Sequence, residues 1–369
     1  MVTTVDELGE RQRGASRELI VGPASDSERS RVHRVTRTGR WIHGPIRDVA
    51  LMLAWVPFTA AALMAGSDRG SLATVVAVTL LVSLAHQPLT LGLIYGDPAQ
   101  FGVARRIFTY APLVLLAAVL VGQHISLALV GAVAGLWNAE HTLMQRYGVV
   151  RIYGRKAGEG TRSDERPMLI SWLVFALTWG AADRRTPALL ARIDLGATNE
   201  AGVRVLHSLQ PWARAALLPA GLAVVVTALR WWRIEHDVPS PSRPKRLYLL
   251  TTATLFVVTL VNPIAGLIGY VGAHALEYVV IVHSALDKRY TGSDAEPGGL
   301  VGAAVRSRAR ATGCVIAYLV VVAGLLGSVQ QFVTPTFASV VLLTVGGMHV
   351  LFDGFIWKLR RPVVGRSLR

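Results

Sequence analysis

Two stretches of this chain run for 30 residues or more without a charged side chain. One extends from Leu247 to Leu276 and the other from Gly313 to Phe352. A helix needs about 20 apolar residues to cross the ~30 Å hydrocarbon core of a bilayer, so each stretch can hold at least one crossing. Over the whole chain 52% of residues are hydrophobic and 17% are charged, whereas soluble domains average about 25% charged residues. These features predict an all-α, polytopic transmembrane helical bundle and exclude secreted disulfide scaffolds, nucleic-acid-binding domains and soluble Rossmann enzymes.

Apolar segments of about 15–25 residues recur between residues 46 and 360, each near the length of one membrane crossing. They predict ten spans of one transmembrane helical domain: 49–66, 71–95, 107–122, 124–148, 167–182, 213–231, 247–261, 264–286, 311–328 and 335–358. Residues 1–45 are polar and basic and contain no apolar run, so we interpret them as a disordered cytosolic tail. Residues 361–369 are expected to form a second, short cytosolic tail.

Basic residues follow every second span. The chain has 38 Lys and Arg against 23 Asp and Glu, and clusters such as Arg105–Arg106 and Arg360–Arg361 lie beside the ends of spans. This placement is typical of cytoplasmic loops, so we expect both termini in the cytoplasm and the protein in the plasma (inner) membrane. It accounts for the net charge of +15 without a nucleic-acid partner. The long connection 183–212 carries arginines on the predicted outer side and departs from the pattern, which long loops follow poorly.

Polar side chains are concentrated in the spans predicted to run from outside to inside. Ionisable residues in a bilayer core cost on the order of 2.5–3.5 kcal/mol each on insertion scales, and they usually mark function. The residues concerned are His86, Asn138, Glu140, His141, Gln145, His274, Glu277, Tyr278, His283, His349 and Asp353. Counting back at ~1.5 Å per residue from the cytoplasmic ends of four spans puts His86, His141, Glu277 and His349 in one layer, toward the cytoplasmic leaflet.

A layer of imidazoles and carboxylates from four helices is what a metal site in a bundle requires. Residues three or four apart share a helical face, so the side chains of His274 and Glu277 can point toward the same centre, as can those of His349 and Asp353. The predicted metal ligands are His86, His141, His274, Glu277 and His349. The candidate catalytic residues, which would orient ligands or bridge two metals, are Glu140 and Asp353, and the secondary candidates are Asn138, Gln145, Tyr278 and His283. A purely structural network of interhelical hydrogen bonds is the alternative interpretation.

The donor types narrow the choice of metal. Imidazole and carboxylate without sulfur suit iron(II), manganese or zinc better than copper(I). Cys314 is the sole cysteine, which excludes thiolate clusters, cysteine-based zinc sites and covalent haem attachment. The H-x3-H boxes of membrane desaturases and the H-E-x-x-H motif of zinc proteases are absent.

The layout of His86, His141, His274 and His349, one histidine on each of four spans, resembles that of the Brp/Blh-type carotenoid-cleaving oxygenases. The resemblance extends across the helical region and includes no shared local motif. It implies that these four histidines hold a non-haem iron within the bilayer. That family lacks carboxylates placed like Glu277 and Asp353, so its substrate is not carried over to this chain.

The sequence thus predicts a metal-dependent membrane enzyme, with non-haem iron as cofactor and a lipophilic small molecule or membrane lipid as substrate. With zinc, the same residues describe an intramembrane lipid hydrolase. A proton- or ion-coupled transporter would use them as a relay, although such a path should thread the whole membrane thickness. A b-type haem with two axial histidines would bury the neighbouring carboxylates against the porphyrin, which is costly.

Overall fold

A computed structural model describes residues 41–66, 68–159, 164–192, 197–238, 241–291, 299–332 and 334–357. Every regular element within these ranges is a helix, which confirms the all-α prediction. In chain order the helices are α1 (Pro45–Met52), α2 (Trp55–Ala65), α3 (Arg69–Tyr95), α4 (Pro98–Gly102), α5 (Arg105–Lys156), α6 (Glu165–Ala182), α7 (Thr186–Arg192), α8 (Ala197–His236), α9 (Arg243–Val261), α10 (Pro263–Tyr290), α11 (Gly299–Ala304), α12 (Arg308–Phe332) and α13 (Pro335–Ile356). Residues 1–40 of the predicted N-terminal tail (1–45) and all of the predicted C-terminal tail (361–369) lie outside the described residues.

Within the described ranges, eight helical stretches are long and apolar enough to cross a membrane. They are Pro45–Ala65, Arg69–Tyr95, Arg105–Lys156, Gly202–His236, Arg243–Val261, Pro263–Tyr290, Arg308–Leu326 and Thr336–Ile356. Their outer faces carry large exposed apolar side chains, among them Leu113, Leu218 and Leu325. Soluble monomers rarely expose apolar surface on this scale, and these helices indicate a membrane protein.

The set of eight differs from the predicted ten spans in two places. Segments 107–122 and 124–148 both lie in α5, which consists of two helices that meet at a kink. The kink is at Ser126, whose backbone is extended (φ −167°, ψ 113°), within a few residues of the predicted boundary between the two segments. Segment 167–182 lies in α6, whose 18 residues begin with Glu165 and Arg166, and these two charges lower its mean hydropathy below that of the eight stretches.

The connection 183–212 also differs from the predicted long loop. It contains the short helix α7, and α8 already begins at Ala197. Helix α8 packs extensively against α6. Pro211 lies inside α8, so the helix continues through a residue that the hydropathy pattern treats as part of the loop.

Several helices begin at residues that satisfy their first backbone N–H groups. Asn262 ends α9 and also caps α10, where its Oδ1 accepts a hydrogen bond from Ala265 N at 3.1 Å. Pro263 follows at the first helical position, where a missing N–H costs nothing. Asp68 caps α3 and Thr334 caps α13 in the same way. The Asn262–Pro263 pair therefore fixes a tight antiparallel hairpin between α9 and α10.

Helix α10 is the most buried of the long helices and positions the site. It packs against α2, α3 and α9, and α13 packs against α3 and α5. Two glycines let α2 approach closely: a Cβ at Gly269 would lie 2.1 Å from Thr59 Oγ1, and one at Gly272 would lie 2.5 Å from the Phe58 ring. Small residues at such crossings allow close backbone packing in membranes. Helices α3, α5, α10 and α13 thereby enclose one interior region.

A cluster of charged residues connects the ends of α5, α6, α8 and α9. The ammonium group of Lys245, at the start of α9, lies 2.5 Å from Glu159, 3.3 Å from Glu165 and 2.5 Å from Glu235. Arg246 also pairs with Glu235, at 3.0 Å. Lys245 is 1% exposed, and a buried ammonium requires such compensation. This Lys245 cluster joins the residues around the end of α5, the start of α6 and the end of α8 to α9.

Candidate functional site

Four histidines from four different helices meet in the interior: His86 on α3, His141 on α5, His274 on α10 and His349 on α13. Their rings form a closed quadrilateral, with neighbouring ring centroids 4.7–5.2 Å apart. Neighbouring rings meet nearly edge-on, with interplanar angles of 79–90°. All four residues are at most 9% exposed. The structure therefore brings together the four histidines that the sequence analysis predicts as metal ligands.

The ring nitrogens of this histidine quadrilateral are close enough to share an ion. His86 Nε2 lies 3.2 Å from His349 Nε2. One donor atom each from His86, His274 and His349 lies within 4.8 Å of the others, as does one each from His141, His349 and Asp353. Nitrogen ligands bind zinc at about 2.0–2.1 Å, which places tetrahedral donors about 3.3 Å apart. The two overlapping groups could each hold a metal ion after small side-chain rotations.

Several of these nitrogens lack a hydrogen bond. Among the described residues, neither ring nitrogen of His274 has a hydrogen-bond partner, and His141 Nε2 has none either. His274 is 1% exposed, so bulk solvent does not reach these nitrogens. Leaving a buried polar group unpaired costs about 1–3 kcal/mol. A cation at the centre of the quadrilateral would supply the missing interactions.

A hydroxyl–carboxylate network supports His349. Thr90 Oγ1 lies 2.7 Å from His349 Nδ1, 3.0 Å from Asp353 Oδ1 and 2.5 Å from the Tyr278 hydroxyl. Tyr278 in turn donates a hydrogen bond to Asp353 Oδ1 at 3.0 Å. The other Asp353 oxygen lies 3.7 Å from His141 Nε2 and 3.9 Å from His349 Nδ1. The Asp353 carboxylate thus contacts two of the four histidines, and Thr90 connects it to one of them.

Glu277 occupies a different environment from the one predicted for a ligand. Its carboxylate accepts a hydrogen bond from Tyr248 at 2.9 Å and one from Gln145 at 3.4 Å, and it pairs with Arg146 at 3.4 Å. Arg146 is fully buried, with its guanidinium between the rings of Tyr248 and Tyr270 at 5.8 and 5.7 Å. Among the described residues, Glu277 belongs to neither histidine-containing donor group.

The remaining candidates lie outside the quadrilateral. Glu140 is exposed and Asn138 is half-buried on α5. Gln145 also donates a hydrogen bond to the His274 carbonyl at 3.2 Å. His283 lies nine residues beyond His274, about 13 Å along α10, and bonds Thr312 of α12 at 2.9 Å.

Three polar residues of this region were not predicted from the sequence: Thr90, Arg146 and Tyr248. Thr90 lies one turn after His86, but a threonine is common in apolar spans and does not stand out as an imidazole or a carboxylate does. Arg146 and Tyr248 lie within predicted spans, and both contact Glu277, which the sequence predicts as a metal ligand. The spacing of residues along one helix does not predict which buried charge on another helix will pair with it.

A cavity of about 460 Å³ lies between α5, α10 and α13 and borders the quadrilateral. His141, Tyr278 and Asp353 line it, together with the exposed Glu140. Most other lining side chains are apolar, such as those of Met144 and Phe355. The candidate site is therefore open on one side to an apolar space.

Comparisons of this chain with models of protein families, with curated proteins and with solved structures found no match. The features of the site that point to a function are the unpaired nitrogens of His274 and His141 and the contacts of Asp353.

Proposed function

We propose that this protein is an integral-membrane, metal-dependent enzyme, a non-haem iron oxidoreductase acting on a lipophilic substrate. The observation that carries the proposal is the buried histidine quadrilateral, in which rings from four helices face one another with unpaired nitrogens. A structural hydrogen-bond network would instead pair each ring with a donor or acceptor. Both nitrogens of His274 lack such a partner in the described part of the chain.

The donor set supports iron, manganese or zinc. His86, His141, His274 and His349 would hold the metal through nitrogen, with Asp353 as the nearest carboxylate. Nitrogen and oxygen donors suit these ions, whereas copper(I) prefers sulfur. Cys314, the sole cysteine, is exposed on α12 and hydrogen-bonds the Ala304 carbonyl, so sulfur is not among the donors described here.

Thr90 and Asp353 orient one ligand. The Thr90 hydroxyl has one proton, and when it donates that proton to Asp353 it accepts from His349 Nδ1. This arrangement puts the proton of His349 on Nδ1 and its lone pair on Nε2, the atom that faces His86 Nε2. Hydrogen bonds of this kind fix the tautomer and ring orientation of metal-bound histidines.

The apolar cavity supports a lipophilic substrate. Iron bound by the quadrilateral would supply the capacity to activate dioxygen. The side chains of Met144, Val350 and Phe355 exclude water and pack against an apolar molecule beside His141. Zinc bound by the same residues would favour hydrolysis of a lipid amide or ester.

Metal analysis of detergent-purified protein tests the proposal. We expect about one or two iron ions per chain, an optical spectrum without a Soret band, and loss of metal in His274→Ala and His349→Ala. His283→Ala is the matched control, because His283 lies on the same helix as His274 but binds Thr312. Metal loss in the control as well would indicate unfolding rather than ligand loss.

Other results lead to different functions. Stoichiometric zinc would replace oxidation with hydrolysis as the proposed reaction. A Soret band would show haem. A protein without metal after chelator-free purification would overturn the metalloenzyme, and assays of proton-coupled transport would follow.

A further inference from the structure

The cavity beside the quadrilateral is an elongated groove along α5. Eight residues of α5 line it at spacings of three, one, three, one, three, one and three, which is one continuous face of a helix. They are Trp137, Glu140, His141, Met144, Gln145, Gly148, Val149 and Ile152. From the first to the last the helix rises about 22 Å. The groove is therefore long compared with a small polar metabolite.

Helix α13 runs beside α5 in the same direction and forms the opposite wall. The Trp137 ring approaches Gly347, where an added Cβ would lie 3.8 Å from Trp137 Cζ3. Farther along both helices, His141 Nε2 lies 3.7 Å from the Asp353 carboxylate. Farther still, Ile152 packs against Trp357. These three contacts advance together along both helices. Trp137 thus lies at one end of the groove, and Ile152 and Trp357 lie at the other.

Two glycines leave the groove open along its length. An added Cβ at Gly148 of α5 or at Gly354 of α13 would meet no atom within 4 Å. Both residues line the cavity. A larger side chain at either position would therefore enter the groove without displacing backbone.

The polar wall of the groove, formed by His141, Tyr278 and Asp353, lies nearer to the Trp137 end than to the Ile152 end. His141 is four residues from Trp137 and eleven residues from Ile152, which corresponds to about 6 Å and about 16 Å along α5. His141, Tyr278 and Asp353 are the groups that join the groove to the quadrilateral. A chain lying lengthwise in the groove would present a carbon near one of its ends to this wall.

We propose that the groove binds one linear acyl chain lengthwise and presents a carbon about one quarter of the way along it to His141 and Asp353. This inference rests on the proposed function for the reaction at that carbon, although binding does not require it. Carbon–carbon bonds of about 1.5 Å in a zigzag give about 17 carbons for 22 Å, which matches the chains of common membrane lipids. The apolar lining and the membrane-spanning helices that form it make the bilayer the source of the chain.

Photolabelling of the full chain tests the binding. The ligand is stearic acid carrying a mid-chain diazirine, added to the detergent-purified protein, and the labelled peptides are located by mass spectrometry. We expect label on groove residues such as Met144, Val149 and Phe355, and about tenfold less label in Gly148→Trp, because the indole occupies the space. Gly135→Trp is the matched control, since Gly135 also lies in open space on α5 but does not line the cavity.

Two results would overturn the proposal that the groove binds an acyl chain. One is equal labelling of wild type and Gly148→Trp together with equal labelling of Gly354→Leu, a second variant in case the first does not fold. The other is label spread evenly over outer residues such as Val133 and Leu136, which are exposed on α5. Stronger labelling by a diazirine-bearing polyprenol than by the fatty acid would overturn the acyl chain as occupant.

The off-centre position is measured with the same protein. After loading with manganese(II), stearic acid spin-labelled at its fifth, tenth or fourteenth carbon is added, and broadening of the nitroxide spectrum reports proximity to the metal. We expect the strongest broadening from a label near one end, and strongest broadening from the tenth carbon would refute the geometry. The metal content of each sample separates the two proposals. Photolabelling of the groove without bound metal would support acyl-chain binding and overturn the metal-dependent enzyme. Bound metal without photolabelling would support the metal site and overturn acyl-chain binding.

Discussion

Replacing Thr90 by valine tests whether the hydroxyl beside His349 serves a metal site. Valine has nearly the same shape, so the change removes one oxygen from a fully buried position. His349 Nδ1, Tyr278 and Asp353 each lose a contact of 2.5–3.0 Å. Loss of a group that orients a ligating histidine weakens metal binding by about 10–100-fold, or about 1.4–2.7 kcal/mol. We therefore expect iron(II) and zinc(II) to bind Thr90→Val about 10–100-fold more weakly than the wild type.

The assay is anaerobic competition with a chelator of known affinity, followed by metal analysis of the protein fraction. Thr79→Val is the control, because Thr79 is also buried on α3 but its hydroxyl bonds only the Val75 carbonyl of the same helix. Thr90→Ser should restore most of the affinity, since serine keeps the hydroxyl. Unchanged affinity in Thr90→Val, or an equal loss in Thr79→Val, would refute the role assigned to Thr90.

Two further predictions concern stability, measured by unfolding of chelator-treated protein in detergent. Arg146→Met should lower the free energy of unfolding by about 3–5 kcal/mol because it leaves the Glu277 carboxylate buried without its cation. Adding Glu277→Gln should recover much of that loss, and no recovery would show that the ion pair is not the cause. Gly269→Ala should cost about 1–3 kcal/mol because its Cβ would meet Thr59 and the Trp55 carbonyl. Gly135→Ala, in open space, should instead stabilise by about 0.4–1 kcal/mol, and equal effects of the two alanines would contradict the packing argument.

Depth along the membrane is the part of the candidate site that sequence spacing can predict. Helices that cross a bilayer run side by side, so residues at equal distance from one membrane surface lie in one layer. This count predicts one layer for His86, His141, Glu277 and His349, and in the structure the ring of His349 contacts those of His86 and His141. His274, about one helical turn before Glu277, also reaches the quadrilateral. Whether these rings bind metal stays a prediction.

Sequence spacing does not predict which side chain of a helical turn finds which partner. Glu277 and Asp353 each lie about one turn after a histidine, so the pattern treats them alike. In the structure Asp353 contacts His141 and His349, whereas Glu277 pairs with Arg146. The difference is made by a residue from another helix. The break in α5 is different, because the predicted boundary between spans 107–122 and 124–148 lies within a few residues of the kink at Ser126.

The distribution of the four histidines along the chain determines when the site can form during biosynthesis. His86 and His349 touch through their Nε2 atoms although 263 residues separate them. At about 5–20 residues per second, the ribosome needs about 13–53 s to make that interval. Three histidines therefore enter the membrane well before the helix that completes the quadrilateral. The quadrilateral therefore forms only after α13 has joined the bundle, and any chain released before that helix lacks His349 and Asp353 together.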